Sequence, residues 1–282
     1  DVQGAYKDNT RNILVIGGGL SGMEAARCTA FSGHNVTLCE SRVQLGGQIR
    51  LAGMIPGRRE IADILPWYER QLKKYGVDVR LNTLVDESLI KALQPEVVFV
   101  AAGSEPEVPQ DLMGIVMNAA NIEIMMMDDL LEQNLVPGKK VLVIGGDQNG
   151  MLVADYLADG NREVIVVEGT THFAQKLAAH DRWYLLNRHK TKNIRRVKEV
   201  NDIEVGGNDD VWLVTGETRE MLAGVDTIVF ASDRKSNRSV GDLVKSVGAE
   251  TIFVGDAKDV KSENSGTIFA NIAQAYDAAR TI

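Results

Sequence analysis

Ile13 to Glu40 reads ILVIGGGLSGMEAARCTAFSGHNVTLCE, and the order of residues within it decides the fold. Asn12 to Ile16 is a short apolar run of the kind that forms a buried strand. Gly17-Gly18-Gly19-Leu20-Ser21-Gly22 then carries the G-x-G-x-x-G spacing, Met23 to Phe31 reads as a helix, and Ser32-Gly33 stops it. Val36 to Glu40 is the next strand, and its acid stands 23 residues after the first glycine. Each part has a physical purpose. Gly17 permits a tight turn, Gly19 lets backbone approach a pyrophosphate, Gly22 lets the helix pack on the strand, and the helix N-terminus favours negative charge. Glu40 would accept hydrogen bonds from a ribose. Glycine-rich turns between strand and helix also occur without nucleotides, so the flanking strand, the helix and the spaced acid are what favour a dinucleotide.

The same grammar returns at Val141. VLVIGGDQNG matches ILVIGGGLSG at an offset of 128 residues, and Glu168 stands in the place of Glu40 at that same offset. The fold class is therefore α/β, with two Rossmann-like dinucleotide-binding domains.

Composition excludes several classes. A chain of 282 residues is long enough for two domains, and 44% apolar with 25% charged residues is ordinary for a globular protein. The net charge of −8 argues against nucleic acid as a partner, because phosphate binding needs a basic field. No apolar run reaches the roughly 18 residues of a membrane span. Cys28 and Cys39 are too few for a disulfide framework and do not form C-x-x-C, so they read as buried thiols. Their scarcity, with no signal peptide in view, leads to an expected cytoplasmic location. The chain starts at Asp1 without methionine, from which we expect a processed or excised piece of something longer.

The paired motifs resemble those of flavoproteins with two dinucleotide-binding domains, and further segments narrow the likeness. Gly46 to Thr83, GGQIRLAGMIPGRREIADILPWYERQLKKYGVDVRLNT, is similar to the region after the first nucleotide motif in the 2,4-dienoyl-CoA reductase and trimethylamine dehydrogenase family. VVFVAAGSEP, Val97 to Pro106, resembles that family's strand ending in Ala-Thr-Gly, with Ala102 in place of threonine. IFVGD, Ile252 to Asp256, resembles its final Gly-Asp motif.

The resemblance implies a first domain holding FAD, or ADP in its place, interrupted by the second. The expected boundaries are 1–112 with 240–282 for the FAD-type domain and 113–239 for the NAD-type domain. Gly17, Gly19, Leu20, Ser21 and Gly22 would face the pyrophosphate, Glu40 and Ser41 the adenosine ribose, and Gly47 and Gln48 the flavin side. Ala102 and Gly103 would give close backbone packing, and Asp256 after Gly255 would accept from the ribityl chain. Alone, Gly255-Asp256 would read as a plain turn; its order after the other motifs favours the ribityl reading. Family members carry FMN on a barrel and a 4Fe-4S cluster upstream. Two isolated cysteines cannot hold such a cluster, so both groups are expected in a missing upstream portion or a catalytic subunit, with an electron-transfer protein as a further partner. No acid-base residue is named as catalytic. The implied function is a flavin-dependent oxidoreductase portion relaying electrons between NADH and that FMN and iron-sulfur portion. The alternative is a non-catalytic module holding ADP or FAD in an amine-dehydrogenase or demethylase-type enzyme.

The second site departs from the pattern. Gly145 and Gly150 are kept, but Asp147 takes the place of the second glycine, where its charge would oppose a pyrophosphate by about 1–4 kcal/mol. Leu152 replaces a glutamate common in the family's helix, and Ser232-Asp233 stands where Thr-Gly is usual. Glu168 reads either as a ribose acceptor favouring NAD over NADP or as a surface acid at a strand end. Met125 to Met127 read as core packing, and His34, His172, His180 and His189 as surface or satisfied histidines. The basic cluster Lys176 to Lys198, with Arg182, Arg188, Lys190, Lys192, Arg195 and Arg196, reads as a solvated face or a docking surface for an acidic partner.

Overall fold

The computed structural model describes residues 10–175, 177–231, 234–246, 248–261 and 266–282. Ser232-Asp233, Lys176 and the leading arm up to Asn9 lie outside the described residues. The chain lays down β1 (Asn12–Ile16), α1 (Leu20–Phe31), β2 (Asn35–Cys39), α2 (Gly47–Met54), α3 (Leu65–Lys74), β3 (Asp78–Arg80), α4 (Glu87–Leu93), β4 (Val97–Val100) and the short β5 (Ser104–Pro106). It continues through α5 (Met113–Asn118), β6 (Glu123–Met126), α6 (Met127–Glu132), β7 (Lys140–Ile144), α7 (Gln148–Asp159), β8 (Glu163–Val167), α8 (Ala179–Thr191) and β9 (Ile194–Val197). A hairpin-connected meander, β10 (Asp202–Val205), β11 (Val211–Thr215) and β12 (Thr218–Leu222), precedes β13 (Thr227–Phe230). The last elements are β14 (Arg234–Ser236), α9 (Ser239–Ser246), β15 (Glu250–Phe253) and α10 (Ile268–Ala279).

These elements form two compact units, residues 1–105 with 235–282 and residues 106–234. The boundaries expected from sequence lay at 112/113 and 239/240. Val108 and Leu112 fall with the second unit because they pack on its apolar cluster under β7, β8 and β13. Each unit has its own five-stranded sheet, ordered β15-β4-β1-β2-β3 in the first and β6-β13-β7-β8-β9 in the second. All neighbours in both sheets run parallel. The outermost strand beside β4 comes late in the chain, whereas its counterpart beside β13 comes before the repeat begins.

The β-branched strand runs explain the sheets. A parallel sheet covered on both faces needs apolar side chains on both. Accordingly Ile13 and Val15 of β1 join one cluster, and Leu14 and Ile16 join another across the sheet. Val141 and Val143 of β7 separate from Leu142 and Ile144 in the same way. The 128-residue offset survives in the helices, where Met23 of α1 and Met151 of α7 are both 0% exposed.

The two helices differ one turn in. Glu24 of α1 lies buried and binds Arg27 through both oxygens at 2.8 and 2.7 Å, while Tyr68 Oη of α3 donates to it at 3.1 Å. Leu152 holds the matching place in α7 and packs against the cluster around Met151 and Val153. The acid of the first repeat therefore ties α1 to α3, and its loss in the second is a change of packing. Part of the basic cluster is likewise internal structure. Arg188 and Lys192 pair with buried Asp155 at 2.5 and 2.8 Å, and Arg195 pairs with Glu220. Arg188 and Lys192 are thus tied to a buried acid, while Lys190, Arg195 and Lys198 are exposed, as a solvated face would have them. Cys28 and Cys39 are both buried.

His189, 1% exposed, donates from Nε2 to the Met151 carbonyl at 2.9 Å. Burial pushes its pKa down from the ordinary 6.5 to about 4, against the opposing pull of the Met151 carbonyl and Asp155; Arg196 and Lys192 add to the drop. The unfolded chain takes up a proton near pH 6.5 that the folded chain refuses until about pH 4, so stability is full above 6.5 and falls as pH drops between these values. The expected loss is about 3 kcal/mol. Urea unfolding followed by circular dichroism between pH 7.5 and 4 should show a shallower slope for His189→Gln. Equal slopes for the two proteins would remove His189 from the account.

Candidate functional site

In both repeats the glycine loop leaves its strand, turns, and enters a helix. Gly17 has φ +106° and Gly145 φ +112°, a region that favours glycine. A Cβ on Gly17 would lie 2.4 Å from the Ala101 carbonyl oxygen, and one on Gly22 would lie 1.9 Å from the Gly17 oxygen. Gly150 meets the Gly145 oxygen at 1.8 Å in the same sense. These glycines are thus required by close backbone approach, whatever the loop binds.

The acid at the end of the second strand braces the loop. Gly18 N–H donates to Glu40 Oε2 at 2.7 Å, while Oε1 accepts from Arg42 N–H at 2.9 Å and from Ser41 Oγ at 3.2 Å. Gly146 N–H donates to Glu168 Oε2 at 2.8 Å, and Thr170 N–H donates to Oε1 at 2.9 Å. Each carboxylate therefore spans from loop to strand end. A further pair continues the repeat, as Gly46 N–H donates to the Gly18 carbonyl at 2.9 Å and Ala174 N–H to the Gly146 carbonyl at 2.7 Å. Glu40 is 7% exposed.

The loops part company at the helix start. Gly19 caps α1 with φ −71° and ψ −176°, and α1 carries no side-chain cap. An added Cβ on Gly19 meets nothing within 4 Å, although Gly47 stands opposite, its own Cβ position 3.2 Å from the Gly19 Cα. Asp147 caps α7 with nearly the same backbone, φ −75° and ψ −168°, yet its Oδ1 accepts from Asn149 N–H at 3.0 Å and, at the long limit of 3.5 Å, from Gly150 N–H. Gln175 fills the place matching Gly47, and its amide donates to Thr170 Oγ1 at 3.1 Å.

A second group of the expected residues also comes together in the first unit. Asp256, 6% exposed, lies in the turn of 3-10 helix Gly255–Ala257 just past β15. Its Oδ2 accepts from Gln48 Nε2 at 3.1 Å and from Ser104 Oγ at 3.2 Å, and its Oδ1 from Asn271 Nδ2 at 3.3 Å. Gly255, at φ +64°, packs on Ser21, whose Oγ lies 2.2 Å from where a Cβ would sit. Gly103 is also left-handed, at φ +72°, beside half-buried Ala102. The buried carboxylate is held by neutral donors from three distant segments, a cluster suited to exchanging hydrogen bonds with sugar hydroxyls. Sequence reasoning named Gln48 and Asp256 but missed Ser104 and Asn271, which carry no motif of their own.

Neither cysteine is poised for thiolate chemistry. Burial pushes the Cys28 thiol up to about 12, with Glu24 adding to the rise, and burial also raises Cys39. Among the described residues no group of three or more His, Cys, Asp or Glu side chains is placed to hold a metal, and no helix is long and apolar enough to cross a membrane.

Removing the brace tests this geometry. Glu40→Ala leaves the buried Gly18 N–H without its acceptor, at about 1–3 kcal/mol, and also frees the partly buried Arg42 N–H. Thermal unfolding without added nucleotide should show a larger drop for Glu40→Ala than for Glu168→Ala, because the Thr170 end of the second brace is solvent-exposed. Glu40→Gln, which keeps one acceptor oxygen, should lie between Glu40→Ala and the parent protein. A Glu40→Ala protein as stable as the parent would refute the brace.

Comparison with known proteins identifies the family. The profile of the pyridine nucleotide-disulphide oxidoreductase family matches residues 11–252. An N,N-dimethylglycine/sarcosine dehydrogenase of Chromohalobacter salexigens is 41% identical over 162 residues, which cover 56% of this chain and 23% of that protein. A bilirubin reductase of Mediterraneibacter gnavus is 28% identical over 98% of this chain and 41% of its own length. The solved structure of a 2-naphthoyl-CoA reductase superposes with a TM-score of 0.86 at 25% identity, covering 98% of this chain and 40% of that one. The chain thus spans less than half the length of these relatives. It belongs to the pyridine nucleotide-disulphide oxidoreductase family, and its resemblance is to the C-terminal region of 2,4-dienoyl-CoA reductase and trimethylamine dehydrogenase relatives.

Proposed function

We propose that the first unit binds FAD and that the chain relays electrons between this flavin and the FMN and iron-sulfur catalytic portion of a larger enzyme. The observation that carries the reading is the α1 N-terminus. It has no side-chain cap, opens onto space at Gly19, and faces a second glycine, Gly47. Helix N-terminal N–H groups with glycine on both walls suit a pyrophosphate. The Asp256 cluster supplies an acceptor for sugar hydroxyls within the same unit. These residues fit FAD.

Bound there, FAD would supply two-electron chemistry on one side and single-electron steps on the other. The protein residues contribute binding and orientation. Glu40 holds the loop with one oxygen on Gly18 N–H and has further lone pairs to offer a ribose. Gln48 and Ser104 would keep the Asp256 carboxylate directed while it accepts from a ribityl hydroxyl. No residue is assigned a proton-transfer step. NADH is the reductant that the family likeness implies in the second unit, and the residues there bear on it separately.

A second reading has ADP in the first unit as a structural nucleotide of an amine-dehydrogenase type of enzyme. The 41% identity with a dimethylglycine/sarcosine dehydrogenase supports the amine-dehydrogenase part of this reading. Ligand extracted from the purified chain and run on a column separates the two. FAD in about equal amount to protein supports the relay, and ADP alone would sink it. Gly19→Asp, which copies the second repeat into the first, should weaken FAD or ADP binding by roughly tenfold or more. Asp256→Ala should weaken FAD while sparing ADP. If Gly19→Asp binds nucleotide as tightly as the parent, the α1 N-terminus is not the pyrophosphate site.

A further inference from the structure

We infer that Asp147 is an internal substitute for the ligand's pyrophosphate, so that the second repeat excludes a nicotinamide dinucleotide despite its fold. The backbone at Asp147 matches that at Gly19 to within about ten degrees, so the two repeats present the same peptide groups at the same place. In the first, the helix start is uncapped. In the second, the Asp147 carboxylate already accepts from Asn149 and Gly150 N–H, the groups that would otherwise hold a phosphate oxygen.

A second, independent difference lies at the residue that matches Gly47. Gly47 approaches Gly19 without a side chain, whereas Gln175 in the matching place carries one, fixed by hydrogen bonds to Thr170 Oγ1 and the His172 carbonyl. Glu168 meanwhile has one oxygen on the Gly146 N–H and the other on the Thr170 N–H. Entry of a dinucleotide would set two phosphates against a carboxylate in the position they need. Rotating Asp147 away would relieve the repulsion only by removing the cap of α7. The residues present therefore do not fit NADH as the family likeness implies, and no electron step is drawn through a nicotinamide here.

The inference rests on the reading of the first unit as the flavin site, because the comparison is between the repeats, and its test keeps the two apart. Binding of NADH and of NAD+ is measured by isothermal titration calorimetry on the whole chain, and FAD and ADP are titrated on the same preparations. Asp147→Gly should tighten NADH binding by roughly ten- to a thousandfold over the parent. Asp147→Asn, which keeps the cap but removes the charge, should gain less, and adding Gln175→Gly to either variant should gain more. If Asp147→Gly does not fold, the Asn variant carries the test through its gain over the parent. Parent protein that binds NADH as tightly as the variants, or variants with intact circular dichroism and unchanged affinity, would overturn the inference. FAD or ADP binding should be the same in all of these proteins. Its absence throughout would count against the first-unit reading and leave the NADH comparison standing.

Discussion

A helix that begins at a loop has backbone N–H groups with no partner inside the helix, and something outside must accept from them. Both sheets in this protein are organised so that such a helix start lies just past the end of a buried strand, at α1 and at α7. The glycines, the braced loop and the acid at the neighbouring strand end all follow from bringing the backbone to that point without a clash. What accepts from the helix start is where the repeats diverge. One leaves it open beside glycine, and the other fills it with its own carboxylate.

The brace explains why the acid and the glycines come together. Glu40 and Glu168 each reach about 22 residues back to the loop N–H and two residues forward to the chain beyond the strand. A loop with this curvature buries polar backbone, and a carboxylate, with two acceptor oxygens, can accept from both directions at once. The acid would therefore be retained even where no nucleotide binds. This weakens any argument from its presence alone and directs attention to the helix cap.

Much of the architecture was legible because it depends on local pattern. The apolar runs before Gly17 and Gly145, the stop at Ser32-Gly33 and the equal spacing to Glu40 and Glu168 all appear as strand, turn and helix. Helix α1 begins at Leu20, inside the glycine motif, where the sequence suggested Met23, because Leu20 and Ser21 already have helical backbone. Less legible were features set by contacts between distant segments. Asp147 was visible as a misplaced charge, but its capping bonds depend on the loop's exact turn; the known preference of Asp for helix starts was the available clue. Ser104 and Asn271 reach Asp256 from segments with no motif. Asp155 gathers Arg188 and Lys192 from more than 30 residues away, which ties two members of the basic run to a buried acid.

The self-capped helix also bears on what sets the stability of each unit. A ligand that binds only the folded form adds to folding stability according to its free concentration. The open α1 start makes the first unit subject to that linkage, while the second carries its acceptor in the polypeptide itself. Under the proposed function, the stability of the first unit would rise with free nucleotide, while that of the second would not depend on it.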